Sequence, residues 1–156
     1  MKRYDDLIAD ALTRVKEIMP WDMSKRIVAG DTPVLLDVRE PAEFSLLHIP
    51  GSINVPRGVL EQSCEWGYDE TMPLLADGRG LEIITICRSG KRSALAADVM
   101  QQMGFINVAS LKTGVRGWND FGQPLLDMDG KLVDGDNAEM LLAPRLRAEP
   151  HSPKQP

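Results

Sequence analysis

One cysteine in this chain is followed at once by three cationic side chains and a glycine. Cys87 begins the segment CRSGKRS and comes directly after a short apolar run, residues 81–86. Reactive thiols lie in electropositive surroundings of this kind, although many free cysteines are simply buried and inert. A tight turn at Gly90 would point backbone N–H groups inward, where they stabilise a thiolate and any anionic sulfur attached to it. Cys87 is therefore the candidate nucleophile, and the predicted substrate-binding residues are Arg88, Ser89, Gly90, Lys91, Arg92 and Ser93.

The segments around Cys87 alternate between strand and helix patterns. Apolar, partly β-branched runs at 34–38, 52–55, 81–86 and 107–111 are typical of buried strands. Helical spacing follows at 22–30, 40–46, 94–103 and around Trp118, and Gly104 is a stop signal. The pattern predicts an α/β fold with a central, mostly parallel sheet flanked by helices. Ligands of such sheets bind beyond the carboxyl ends of the strands, which is where Cys87 lies.

The two ends of the chain carry weaker signals. Apolar residues recur at helical spacing from Leu7 to Met19, which predicts an amphipathic helix ending near Pro20 and packed on its own domain. Residues 57–80 favour a loop-rich connection with a helix near 70–76. We therefore divide the chain into an N-terminal helix (1–20), a domain (21–126) and a partly disordered extension (127–156). Within that extension, Met140 to Leu142 predicts a brief helix.

Composition and charge exclude several classes of function. The 156 residues are 43% hydrophobic and 26% charged, as in a single soluble domain, and the net charge of −5 disfavours nucleic-acid binding. Cys64 and Cys87 are too few for a disulfide framework or a zinc site. Charged residues interrupt the N-terminal apolar positions, so we predict neither a signal peptide nor a membrane span and expect a cytoplasmic protein.

Four segments, in the right order, resemble the rhodanese family. CRSGKRS (87–93) is similar to the family's active-site loop, C-R-x-G-x-R-[ST], and DVREPAEF (37–44) is similar to its D-V-R-x-x-x-E-F segment. HIPGSINVP (48–56) and GVRGW (114–118) resemble two further family segments. Two residues depart from the pattern, because Leu47 and Thr113 each replace a glycine. Both lie outside the catalytic loop, so they affect the expected backbone shape rather than the chemistry.

The resemblance implies a three-layer rhodanese-like domain and a two-step sulfur transfer. Cys87 would take sulfur from a small anionic donor such as thiosulfate, carry it as a persulfide, and pass it to a thiol, cyanide or a sulfur-carrier protein. No metal or organic cofactor is expected. A sulfur relay between two proteins and a non-catalytic binding module are the alternatives. A phosphatase or arsenate reductase is disfavoured, because those relatives have C-x5-R and this chain has C-x4-R from Cys87 to Arg92.

The resemblance also implies roles for other side chains. Asp37 and Arg39, at the end of the first central strand, are predicted to brace the catalytic loop. We expect at least one loop cation to be structural, and we predict that this is Arg92, turned toward a carboxylate. Structural roles are expected for His48 and Trp118. Cys64 is interpreted as an incidental loop thiol, with a role in resolving the persulfide as the alternative.

Overall fold

Five parallel strands form the centre of the computed structural model, which describes residues 1–145. The strands are β1 (Lys16–Ile18), β2 (Val34–Asp37), β3 (Ile53–Asn54), β4 (Glu82–Ile86) and β5 (Asn107–Leu111). Their order across the sheet is β1-β5-β4-β2-β3, and every neighbouring pair is parallel. The predicted α/β fold with a parallel sheet is therefore confirmed. All five carboxyl ends lie at one edge, and Cys87 directly follows the middle strand.

Helices cover both faces of this sheet. They are α1 (Tyr4–Leu12), α2 (Pro20–Val28), α3 (Pro41–Leu46), α4 (Leu60–Ser63), α5 (Pro73–Ala76), α6 (Lys91–Gln102), α7 (Gly114–Asp120) and α8 (Gly135–Leu142), with a 3₁₀ turn at Arg57–Val59. On one face α6 packs on β4 and β5 and is itself contacted by α1 and α4. On the other face α7 packs against α2 and α8. Helix, sheet and helix thus make three layers, as predicted.

The middle strand shows why its sequence is apolar throughout. Successive side chains of a strand point to opposite faces, and both faces of a parallel sheet are buried. Ile83 belongs to the apolar cluster beneath α6, whereas Ile84 and Ile86 belong to the cluster beneath α7. Thr85 and Ser110 are buried polar residues of β4 and β5.

The N-terminal prediction is wrong beyond Leu12. The helix predicted to run to about Pro20 stops at Leu12, and residues 16–18 form β1 instead. Lys16 to Ile18 pair with Ala109 to Leu111, so the open edge of β5 recruits a segment whose apolar spacing also suited a helix. The sheet therefore begins before the predicted domain boundary at residue 20. Helix α1 does pack on the domain, and Arg14 at its end bonds Asp98 of α6 at 2.8 Å.

The remaining segments follow the sequence more closely. In the connection at 57–80, α5 lies within the predicted helix, but the 3₁₀ turn and α4 were not predicted. Gly104 follows α6 with a φ of +94°. Helix α8 is longer than the predicted brief helix and buries Ala138 and Leu142 in the second core cluster. Residues 1–145 contain no helix that is both long and apolar enough to cross a membrane. The predicted disorder at the end of the tail lies outside the described residues.

Candidate functional site

The loop after β4 turns tightly around the sulfur of Cys87. Gly90 has a φ of +94°, precedes α6, and its backbone N–H donates to Sγ of Cys87 at 3.1 Å. A side chain at Gly90 would press on the backbone of Leu111 and Thr113, so the turn after β5 also requires glycine here. The positive end of the α6 dipole lies at this loop. Cys87 itself is only 1% exposed.

Two buried serines continue the hydrogen bonding beneath the sulfur. Oγ of Ser93 lies 3.3 Å from Sγ of Cys87 and 2.8 Å from Oγ of Ser110, which is on β5. Ser93 is held in place by Thr85, whose hydroxyl donates to its carbonyl oxygen at 2.8 Å. All three polar residues are buried. They fix the first turn of α6 to the two central strands.

The direction of these hydrogen bonds depends on the charge of the sulfur. If Cys87 is a thiolate, Ser110 donates to Ser93 and Ser93 donates to the sulfur, so that every hydroxyl hydrogen has an acceptor. If Cys87 is a thiol that donates to Ser93, the Ser110 hydroxyl has no acceptor among residues 1–145. Leaving a buried donor unsatisfied is costly, so both serine hydroxyls are satisfied only when the sulfur accepts a hydrogen bond from Ser93. Sequence reasoning missed Ser110, although a serine inside the buried run 107–111 was a signal.

The three loop cations lie in three different environments. Arg92 forms two hydrogen bonds of 2.8 Å with the carboxylate of Glu43, so it is turned toward a carboxylate as expected. The Arg92 guanidinium also holds the pKa of Glu43 below its ordinary value. Lys91 reaches Asp5 of α1 at 2.7 Å and lies over the ring of Tyr4. Arg92 and Lys91 are therefore partly neutralised.

Arg88 lines a cavity beside the loop. The cavity has a volume of about 350 Å³ and is open to solvent. Its lining residues come from the ends of β2, α3, β4 and α8, and they are Arg39, Glu43, Leu46, Leu47, Arg88, Leu141, Leu142, Ala143 and Arg145. Within residues 1–145 the side chain of Arg88 makes no hydrogen bond or ion pair. It is thus the loop cation best placed to meet an anionic substrate.

Asp37 and Arg39 form a buried ion pair at the end of β2, which pairs with β4 directly before the loop. Nη2 of Arg39 lies 2.8 Å from Oδ2 of Asp37 and donates to the carbonyl oxygen of Leu47, also at 2.8 Å. Asn54 donates to the carbonyl oxygens of both residues. No hydrogen bond joins either side chain to residues 87–93 in the described part of the chain. The pair instead holds the segment at Leu47, which is one wall of the cavity.

Three further predictions concern His48, Trp118 and Cys64. The Nδ1 atom of His48 lies 3.0 Å from the carbonyl oxygen of Phe44 and its ring stacks on Phe44, while Trp118 is buried and donates to Pro124, so both are structural as predicted. Cys64 is not the loop thiol we expected, because it is fully buried at the end of α4. Burial raises the pKa of the Cys64 thiol to about 11, which makes it a poor partner for a persulfide.

The two departures from the family pattern have different effects. Leu47 has an extended backbone and a buried side chain, so it causes no strain. Thr113 has a φ of +66°, which is unfavourable for a β-branched residue. Its side chain lies directly against Gly117 of α7, where a methyl group would overlap it. The neighbouring Gly114 packs so closely on the backbone of Cys87 and Arg88 that no side chain fits.

Comparison with known proteins gives a family and several relatives. The model of the rhodanese-like domain matches residues 21–121. The chain is 34% identical over 109 residues to the thiosulfate:glutathione sulfurtransferase of Saccharomyces cerevisiae. The aligned region covers 67% of this chain and 78% of that protein.

Two solved structures have a similar fold. One, from Rhodopseudomonas palustris, is a protein of unknown function described as a possible tyrosine phosphatase. It superposes with a TM-score of 0.73 at 28% identity and covers 80% of this chain and 94% of that one. The other is a rhodanese-related protein from Thermoplasma volcanium, with a TM-score of 0.58 at 29% identity, covering 71% and 97% of the two chains. The fold of this chain is thus shared with these two proteins.

Proposed function

The chain belongs to the rhodanese-like domain family, and we propose that it is a sulfurtransferase that carries sulfur as a persulfide on Cys87. One observation carries this proposal. The sulfur of Cys87 receives the N–H of Gly90 at 3.1 Å and lies 3.3 Å from the hydroxyl of Ser93, beside the first turn of α6. The negative charge of the thiolate is on this sulfur, so these donors stabilise both the attacking nucleophile and the thiolate that is released when the persulfide gives up its outer sulfur.

In the first half of the proposed cycle a small anionic donor such as thiosulfate enters the cavity beside Arg88. The thiolate of Cys87 attacks the outer sulfur of the donor, and a new S–S bond forms. The bond between that sulfur and the sulfite group breaks, and sulfite leaves with the bonding electron pair. Arg88 is the cation that attracts the donor, because Arg92 and Lys91 are engaged by Glu43 and Asp5.

In the second half an acceptor removes the outer sulfur. A thiolate or cyanide attacks that sulfur, the S–S bond to Cys87 breaks, and Cys87 returns as a thiolate. The proposed cycle uses no metal or organic cofactor. A sulfur-carrier protein is a second class of acceptor, and a relay in which both donor and acceptor are proteins remains the alternative. The relative from Saccharomyces cerevisiae, named a thiosulfate:glutathione sulfurtransferase, supports a low-molecular-weight thiol as the acceptor.

The same geometry argues against phosphate-ester chemistry. Four residues separate Cys87 from Arg92, and Gly90 N–H already points at the sulfur, so the loop surrounds one sulfur atom. Arg92 would be the arginine that clamps a phosphate, but both of its terminal nitrogens bond Glu43 at 2.8 Å. Clamping a phosphate would require breaking this ion pair. A tyrosine phosphatase activity is therefore not what we propose for this chain.

The test is intact mass after the reduced protein is incubated with thiosulfate. We expect the wild type and Cys64→Ser to gain one sulfur atom and Cys87→Ser to gain none. Cys64→Ser is the matched control, because it removes the other thiol of the chain. Loading of Cys87→Ser would refute the assignment of Cys87. No loading in any protein would refute thiosulfate as donor and favour a protein relay or a binding module.

A further inference from the structure

The end of α8 forms one wall of the cavity beside Arg88. Leu141, Leu142, Ala143 and Arg145 line it, opposite Leu46 and Leu47. These four residues lie beyond the segment that matches the rhodanese-like domain, which ends at residue 121. Helix α8 is fixed in place, because Leu142 and Ala138 are buried against α7 and the sheet. The C-terminal extension therefore contributes one wall of the cavity that Arg88 lines.

The charges around the cavity leave it positive. Arg39 is neutralised by Asp37, and Glu43 is neutralised by Arg92. Within residues 1–145 no carboxylate lies within ion-pair distance of Arg88 or Arg145. Among the described residues, two guanidinium groups on the cavity wall, one from the loop and one from the extension, thus have no carboxylate partner and could bind an anion.

The cavity is larger than thiosulfate requires, and part of its wall is apolar. Thiosulfate has five heavy atoms. If each atom occupies as much volume as one molecule of liquid water, about 30 Å³, the whole ion fills roughly 150 Å³. The cavity measures about 350 Å³. Leu46 and Leu141, which line it, are 55% and 37% exposed. Hydrocarbon surface beside two cations suits a ligand with an anionic group and a hydrocarbon part.

We propose that the end of α8 and Arg145 form an acceptor subsite for a small thiol that carries a carboxylate. This inference rests on the proposed sulfur transfer from Cys87. The carboxylate of the acceptor binds Arg145 and Arg88, and its hydrocarbon part contacts Leu141. Its thiolate attacks the outer sulfur of the persulfide, which lies about 2 Å beyond Sγ of Cys87. The acceptor leaves as a persulfide, Cys87 is released as a thiolate, and no external oxidant is needed.

The experiment compares two acceptors of similar size. Protein loaded with thiosulfate and freed of donor is mixed with 3-mercaptopropionate or with 2-mercaptoethanol, and single-turnover transfer is followed by loss of the persulfide mass. The quantity of interest is the ratio of the two rates in each protein, because the intrinsic reactivities of the thiols then cancel between proteins. We expect Arg145→Gln to lower this ratio about three- to fivefold, the effect of losing one exposed ion pair. Lys131→Gln, which removes another cation of the same extension outside the cavity, keeps the wild-type ratio.

A ratio that Arg145→Gln leaves unchanged would overturn the subsite. If thiosulfate still loads Cys87 in that case, the proposed function stands and only this inference fails. If thiosulfate does not load the protein, the subsite is tested by NMR titration of Cys87→Ser. Methyl resonances of Leu141 should shift with 3-mercaptopropionate more than with 2-mercaptoethanol, and Arg145→Gln should abolish the difference. Equal shifts with both thiols would overturn the inference.

Discussion

The two buried serines give the sharpest test of the site. In the proposed thiolate state the Ser93 hydroxyl, 3.3 Å from the sulfur, is the side-chain donor to it, and Ser93→Ala removes this donor. Hydrogen bonds to charged groups contribute about 1.5–3 kcal/mol. Because about 1.4 kcal/mol corresponds to a factor of ten, Ser93→Ala should slow persulfide formation by roughly 10- to 150-fold.

Ser110 acts one step further from the sulfur, so its removal should cost less. In the same thiolate state its hydroxyl donates to that of Ser93, a neutral group 2.8 Å away. Such a bond contributes about 1 kcal/mol, which predicts that Ser110→Ala slows persulfide formation about fivefold. The assay is the rate of sulfite release in a single turnover with thiosulfate. An unchanged rate in Ser110→Ala, or a loss as large as that of Ser93→Ala, would refute the hydrogen-bond chain.

Stability provides an independent check of the same chain. Ser93→Ala leaves the Ser110 hydroxyl buried without an acceptor among residues 1–145, at a cost of about 1–3 kcal/mol. The double variant removes both groups, so its loss of unfolding free energy should be smaller than the sum of the two single losses. Urea unfolding gives the free energy of unfolding of the wild type, the two single variants and the double variant. Losses that simply add would show that the two hydroxyls are not coupled.

Three other perturbations follow from contacts described above. Asp37→Ala leaves the charge of Arg39 buried and unpaired, and should lower the unfolding free energy by about 3–5 kcal/mol in urea titration; a loss below about 1 kcal/mol contradicts the ion pair. Gly117→Ala should destabilise the wild type, because the methyl group would overlap Thr113. In the Thr113→Gly background the same substitution should stabilise the protein by about 1 kcal/mol, since alanine favours helices. A change of unfolding free energy with the same sign in both backgrounds would contradict this packing. The pKa of Glu43 is lowered in the folded state, so its contribution is present above pH 4.5 and is lost as the pH falls through the folded-state value; the urea midpoint of Glu43→Gln should lack this part of the pH dependence.

Local sequence patterns predicted the strands and the helix that hold Cys87. The element that these patterns missed, β1, depends on contacts between residues distant in sequence. The runs at 34–38, 81–86 and 107–111 are apolar on both faces, so they could be recognised as buried strands without knowledge of their partners. Residues 16–18 could not, because Val15 and Ile18 suit a helix or a strand equally and only the open edge of β5 decides between them. Tertiary pairing overrides local preference in such short segments.

The same difference between contiguous and distant residues applies to the site. The reactive cysteine, the glycine turn and the surrounding cations are contiguous, so their spacing alone indicated an anionic sulfur. The partners of those residues are not contiguous, since Ser110, Asp5 and Arg145 reach the site from β5, α1 and the segment after α8. No spacing rule connects them to the loop. The sequence therefore predicts Lys91 as a substrate cation, and only the fold shows that it also pairs with Asp5.

The position of β1 at the edge of the sheet bears on self-association. An uncovered edge strand offers free N–H and C=O groups to another chain and is a template for aggregation. The opposite edge, β3, has only two residues and is a poor template. A truncated chain beginning at Trp21, where the family match starts, would lack Lys16 to Ile18 and expose β5 along Ala109, Ser110 and Leu111. Such a fragment would tend to pair with its own copies through the strand that carries Ser110.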